Sequence, residues 1–244
     1  KAGTTSGIVQ GGASITPSAY SFNQTSGFSI IKYQGTGSNA TVPHGLNAVP
    51  KMIIIKCLSL ASKSWQVGHE SIGWQNGIYL NLTDANGSDS GAFNSTNPTS
   101  SLFSLGTSSF VNTSSADYVA YCFSEIPGYS KFNRYDGNGS TNGSFIYTGF
   151  KPAFVMVKKS SATNNWVMTD NKRNPFNVAT NCLFANLSDV EGVGLNFDLL
   201  SNGFKLRSNS GGTNTNAETY IYMAFAENPF VATSGTAALP VTAR

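Results

Sequence analysis

The groups able to do covalent or acid–base chemistry are few and scattered: two histidines, three cysteines and twelve acidic residues in 244. Glycoside hydrolysis needs two carboxyl groups facing each other across a cleft. Glu125 and Glu227 instead end two similar segments, which puts one in each. Glu70, Asp170 and Glu191 stand alone, and the Glu-x-Asp-x-x-Glu strand pattern of laminarinase-type sandwiches is absent. His69-Glu70 has no Gly-x-Ser-x-Gly elbow to complete a triad. His44, in Pro-His-Gly, reads as a turn residue. Two histidines and isolated cysteines are too few ligands for zinc. Cys57 and Cys122 lie in apolar runs and read as buried free thiols. Asp84-Ala-Asn86-Gly-Ser-Asp89 alternates oxygen ligands but lacks the bidentate glutamate of a calcium loop, so it reads as a turn. The residues assign no catalytic group, no metal and no cofactor.

Non-covalent recognition is better supplied. Sugars offer apolar C–H faces to aromatic rings and hydroxyl edges to Asn, Asp and Ser. Trp65 and Trp166 hold matching places in the two similar segments and read as core. Trp74 sits in the polar stretch Ser71-Ile-Gly-Trp-Gln-Asn-Gly77 and is a candidate contact, with Asn76 and Tyr79 beside it. Lys172 and Arg173, in Asn171-Lys-Arg-Asn-Pro-Phe176, form the basic loop, a candidate contact for an anionic glycan.

The elements that must position these residues are strands. Charged residues are only 11% of the chain, and Ser, Thr, Asn and Gly supply the polarity. That composition makes turns and sheets rather than helices. The net charge of +3 is spread without a basic run, so no nucleic-acid partner is expected. No apolar run approaches the ~18 residues of a membrane span, and none is expected.

The main organising feature is a repeat. Tyr118-Val-Ala-Tyr-Cys-Phe-Ser-Glu125 and Tyr220-Ile-Tyr-Met-Ala-Phe-Ala-Glu227 stand 102 residues apart, each followed by an X-Pro break. Both read as buried strands closing a unit. Tyr33-Gln-Gly-Thr-Gly37 answers Tyr135-Asp-Gly-Asn-Gly139 at the same offset. So does Pro50-Lys-Met-Ile-Ile-Ile-Lys56 with Pro152-Ala-Phe-Val-Met-Val-Lys158. Asn81-Leu-Thr-Asp84 answers Asn186-Leu-Ser-Asp189, and Phe103-Ser-Leu105 answers Phe204-Lys-Leu206. Tandem duplication explains these ordered blocks. The expectation is an all-β chain of two homologous antiparallel β-sandwiches, jelly-roll or lectin-like, each with roughly seven short strands. Residues 1–27 read as a lead-in that adds edge strands or a linker but no core, 28–127 as the first unit, 128–230 as the second and 231–244 as a tail. Short helical turns are expected near 188–192.

These blocks, with Gly27-Phe-Ser-Ile-Ile-Lys-Tyr33, Val42-Pro-His-Gly-Leu46, Gly149-Phe-Lys-Pro152 and Leu200-Ser-Asn-Gly-Phe-Lys-Leu-Arg207, resemble a repeat domain in tail fibre and tail-tip proteins of tailed bacteriophages, marine ones especially. The resemblance covers about residues 20–230. It implies a lectin-like sandwich at the distal part of a virion appendage. It also implies a homotrimer, contacts with other tail proteins and attachment to a bacterial surface glycan. It brings no catalytic residues. Lys1-Ala2-Gly3 is similar to the close of a preceding unit in such proteins, so the chain is expected to be part of a longer fibre subunit. The alternatives are a depolymerase acting on surface polysaccharide and a purely architectural fibre segment.

Overall fold

The computed structural model describes residues 3–228. Lys1, Ala2 and the expected tail 231–244 lie outside the described residues. The chain divides into two compact units between Glu125 and Ile126, two residues before the expected boundary. Unit 1 carries β1 (Ala19–Asn23), β2 (Phe28–Gln34), β3 (Ala40–Pro43), β4 (Pro50–Cys57), β5 (Gln66–His69), β6 (Asn76–Tyr79), β7 (Gly87–Ser88), β8 (Leu102–Leu105) and β9 (Asp117–Ser124). Unit 2 carries β10 (Ser130–Asp136), β11 (Phe145–Tyr147), β12 (Pro152–Lys159), β13 (Trp166–Asp170), β14 (Ala179–Phe184), β15 (Gly192–Leu200), β16 (Gly203–Leu206) and β17 (Thr219–Ala226). The helical pieces are one turn each: α1 (Ser90–Phe93) and a 3-10 turn, Glu70–Ile72. The turns expected near 188–192 do not form: residues 188–191 are irregular and Gly192 opens β15.

The named strand pairs are antiparallel. Unit 1 orders its sheet β1-β2-β9-β4-β5-β6-β7 and pairs β3 with β8 separately. Unit 2 orders β10-β17-β12-β13-β14-β15-β16-β11 in one sheet. The order β2-β9-β4-β5-β6 thus recurs as β10-β17-β12-β13-β14, and the pair β3-β8 recurs as β11-β16. In unit 1 the core draws Ile31, Ile53 and Tyr118 from the long sheet and Val42, Phe103 and Leu105 from the short pair. In unit 2 it draws Val155, Tyr220 and Tyr222 from one half of the sheet and Ile146, Phe204 and Leu206 from the other.

Burial refines two expectations. The apolar run of β4 is buried on both faces from Met52 to Ile55, as its pattern requires. The closing strands differ: β17 is buried continuously from Tyr220 to Ala224, whereas β9 alternates, with Tyr118, Ala120 and Cys122 inward. The lead-in does supply an edge strand, β1 on β2, but it also reaches the core, where Ile15 is buried. Its spacing, with one aliphatic side chain among Gly and Ser, hid that contribution. All three cysteines are buried free thiols, and burial pushes the Cys122 thiol up to about 12.

A polar clamp appears twice. The Tyr33 and Tyr118 rings stack at 5.3 Å, and those of Tyr135 and Tyr220 at 5.1 Å. Buried hydroxyls need partners. Tyr33 donates to Val111 O and Tyr135 to Thr213 O, each at 2.7 Å. Tyr118 accepts from Thr113 N–H and donates to Ser109 O; Tyr220 accepts from Thr215 N–H and donates to Gly211 O. Between these contacts sits a buried amide, Asn112 or Asn214. Asn112 Oδ1 accepts from Thr36 N–H at 2.8 Å, and its Nδ2 donates to Ser38 O and Gly106 O. Asn214 repeats this with Asn138 N–H, Ser140 O and Ser208 O. The two loops come so close that a Cβ on Gly35 or Gly137 would stand 2.2 Å from a carbonyl oxygen, Thr113 O or Thr215 O. That explains the Tyr-x-Gly block seen in the sequence. Asn81 and Asn186 also act alike: each Oδ1 accepts, at 2.8 Å, from the backbone of Trp65 or Trp166.

His44 is fully buried rather than an open turn residue. Its Nδ1 accepts from Leu46 N–H at 3.3 Å, which leaves the Nε2 proton for Thr99 O at 3.2 Å. Burial holds it down at about 4, with the Thr99 bond opposing.

Asn112→Ala should destabilise unit 1 by about 3 kcal/mol, and Asn214→Ala unit 2 by a similar amount, in urea unfolding, because three backbone partners lose their bonds at once. His44 predicts a pH dependence. Between pH 6.5 and about 4 the unfolded histidine is protonated and the folded one is not. Stability should therefore fall with falling pH across that window, by up to about 3 kcal/mol. His44→Gln should lack this component when its pH profile is subtracted from that of the parent.

Candidate functional site

The contact candidates of unit 1 do not form a contact surface. Trp74 is only 3% exposed and meets Phe93 edge-on at 5.1 Å inside the core. This overturns the expectation that its polar loop leaves it outside. The reason lies on β5: Gly68 has no side chain, and a Cβ there would stand 2.6 Å from both the Trp74 and Phe93 rings. Asn76 spends its Nδ2 on Ile72 O at 2.6 Å and fixes the turn before β6. Tyr79 packs on Phe110 at 5.2 Å. Of the two in-register tryptophans, Trp166 is buried as expected, but Trp65 is half-buried and stacks on Tyr121 at 6.4 Å.

Unit 2 uses the corresponding loop differently. Strand register sets Gly68 opposite Ile53 and Thr169 opposite Val155, so Thr169 takes the place of Gly68. Thr169 is buried and its hydroxyl donates to Asn181 O at 3.3 Å. The space that Gly68 leaves for a ring in unit 1 is filled by that side chain. Phe176 stands 102 residues after Trp74 and is 83% exposed. The aromatic of this loop is turned inward in one copy and outward in the other. The offset grows from 101 at Trp65/Trp166 to 105 at Asn81/Asn186, and Phe176 is the aromatic that falls within that range of Trp74.

Phe176 borders a cavity of about 220 Å³ lined also by Lys151, Asn171, Asn174, Pro175 and Asn177, with Leu199 behind them. The loop that forms it is rigidly held. Asp170 Oδ1 accepts from the backbone N–H of Lys172 and of Arg173, both at 2.9 Å. Asn174 Oδ1 accepts from Thr180 N–H and Asn181 N–H at 3.1 and 2.7 Å. Asn177 exchanges two bonds with the Leu199 backbone, mimicking a strand partner. Asn171 is 7% exposed, and its Oδ1 is buried with no hydrogen-bond partner. Several other buried side-chain polar atoms are in the same state among the described residues, and Asn171 is the one of them that lines this cavity, where a donor from outside could serve it.

Most of the charges are paired. Lys151 Nζ lies 2.9 Å from Glu227 Oε2. That bond holds the Glu227 carboxyl below its usual range against the opposing effect of burial, with Lys172 and the Asn171 amide adding to it. Arg173 binds Asp170 through one guanidinium nitrogen and Glu191 through Nε at 2.8 Å. Arg173, a candidate contact for an anionic glycan, is thus bonded to two carboxylates that hold it in the loop. Lys172 stays exposed at the rim. Chemically the cleft joins an exposed ring, an unsatisfied acceptor and fixed amides.

A larger cavity, about 330 Å³ in unit 1, is lined by Phe22, Gln24, Asn47, Ser100 and Ser101 among others. Gln24 Nε2 already donates to Gly45 O at 2.9 Å, and no lining residue carries a buried polar atom without a partner among those found. The smaller cleft is the better candidate. Among the described residues no group of three His, Cys, Asp or Glu is placed to hold a metal ion. No helix of the described residues is long and apolar enough to cross a membrane.

Residues 1–229 match the family described as a domain of unknown function, DUF7483. The chain belongs to the DUF7483 family. The match spans both copies of the repeat, so the DUF7483 domain contains the cleft of unit 2 and the closed counterpart in unit 1. No curated protein and no solved structure matches the chain.

Gly68→Thr should place in unit 1 of this DUF7483 chain the side chain that unit 2 carries. Overpacking should cost about 2 kcal/mol, and the tryptophan emission should shift to the red as Trp74 leaves the core. An unshifted spectrum in a folded variant would remove Gly68 as the cause of Trp74 burial.

Proposed function

We propose that this chain is a structural and receptor-binding module of a bacteriophage tail fibre, attaching the virion to a glycan on the host surface. The reading joins the resemblance of its repeated blocks with the cleft of unit 2. On this reading the two units are tandem homologous sandwiches of lectin-like type, sited in the tail fibre of the virion. Other tail proteins would flank the chain, and a homotrimer would present three clefts. Weak sugar contacts would then add through effective concentration.

The observation that carries the reading is the outward Phe176 beside the buried, unpartnered Asn171 Oδ1. An exposed ring stacks on a sugar C–H face, and an orphan acceptor takes a hydroxyl proton. The depolymerase alternative gains little here. Asp170 and Glu191 both bind Arg173, so neither carboxylate stands free to act as an acid or a nucleophile.

The test is binding of the purified chain to immobilised host-surface polysaccharides. The parent chain should bind at least one, and Phe176→Ala should weaken that binding about tenfold, which corresponds to about 1.4 kcal/mol. Equal binding by the two proteins would detach the function from this cleft. Release of reducing ends would favour the depolymerase, and a folded chain that binds none of the polysaccharides would favour an architectural segment.

A further inference from the structure

The unit 2 cleft also specifies the kind of sugar, given the reading of it as a glycan contact. Its charges cancel. Lys151, Lys172 and Arg173 stand against Asp170, Glu191 and Glu227, and the two internal pairs of Arg173 and the Lys151–Glu227 pair are formed without a ligand. A carboxylated or sulfated sugar would find Lys172 as its one unpaired cation here, exposed and close enough to Glu227 to share that carboxylate's field, and would have to break a pair to reach Lys151 or Arg173. Breaking a part-buried pair leaves its carboxylate without compensation.

The hydrogen-bonding groups point the same way. Asn171 Oδ1 needs a donor, which a hydroxyl has and an ionised acid lacks. Asn174 is oriented by two backbone bonds to its Oδ1, which leaves its Nδ2 to donate. One acceptor and one donor suit adjacent hydroxyls, each able to give and to accept. Phe176 and Pro175, both exposed, supply apolar surface for the C–H face. A volume of about 220 Å³ is below the roughly 300 Å³ at which sites for drug-sized ligands begin. It has the size of a site for one ring.

We infer that unit 2 takes a single uncharged sugar residue bearing adjacent hydroxyls, such as a neutral hexose unit of a surface polysaccharide, and not an acidic sugar.

Titration of the whole chain with neutral hexose polysaccharides, and with uronate-containing and sulfated ones, tests this. Neutral polymers should bind, with affinity changing less than about twofold between about 50 and about 500 mM salt, because no ion pair is made. Phe176→Ala and Asn171→Ala should each lose about tenfold, with far-UV circular dichroism confirming that both remain folded. Lys172→Ala should stay within about twofold of the parent, a readout that does not depend on core integrity. Binding confined to the acidic polymers, falling with salt and lost in Lys172→Ala, would overturn the inference and leave the glycan reading intact. Binding of neither class by the folded parent would overturn both.

Discussion

Each unit depends on one buried polar knot. Two tyrosine rings lie face to face in the core, and their hydroxyls reach backbone groups of the loop before the closing strand. A buried phenol is costly unless its hydroxyl is bonded. The loop must therefore pass within reach, and the buried asparagine pins it to the Gly-containing loop that follows β2 or β10. This fixes the register of β2 on β9 and of β10 on β17, since a slip of one residue would turn both rings out of the core. The rest of the strand order is built on that pairing.

The duplicated unit keeps this knot and varies around it. The loop after β5 or β13 makes no contribution to the clamp, so its aromatic is free to follow local packing. Gly68 leaves room that Trp74 and Phe93 occupy; in unit 2 a buried Thr169 stands at that register position and Phe176 is exposed. The aromatic of this loop is core in one unit and exposed in the other. The outward loop is then held by its own polar side chains, Asp170, Asn174 and Asn177, which satisfy backbone groups that no neighbouring strand covers. Rigid support of that kind lowers the ordering cost of binding.

Electrostatics in the cleft follow from the same rigidity. Lys172-Arg173 reads as a positive patch along the chain, yet Asp170 is next to it and Glu191 arrives from the approach to β15. Lys151 and Glu227 meet because β12 and β17 are neighbours, their ends in register. Pairing turns a basic stretch into a balanced surface on which shape and hydrogen bonding outweigh charge.

The all-β class, the repeat and the main strands were legible because burial on a sheet leaves a period in the side chains, and a duplication leaves it twice. Pro50 and Pro152 marked strand starts, and Tyr33-x-Gly and Tyr135-x-Gly recurred as a block at the same offset. Asn112 and Asn214 were hidden among many Ser, Thr and Asn residues, although they too stand 102 apart. The sequence by itself determined what each unit is made of, because hydrophobic period and turn chemistry are local. Only the tertiary structure decided that Trp74 is core, that Phe176 is surface and that Arg173 is already bonded. Those outcomes depend on which residue of a neighbouring strand stands opposite, and spacing along the chain does not carry that.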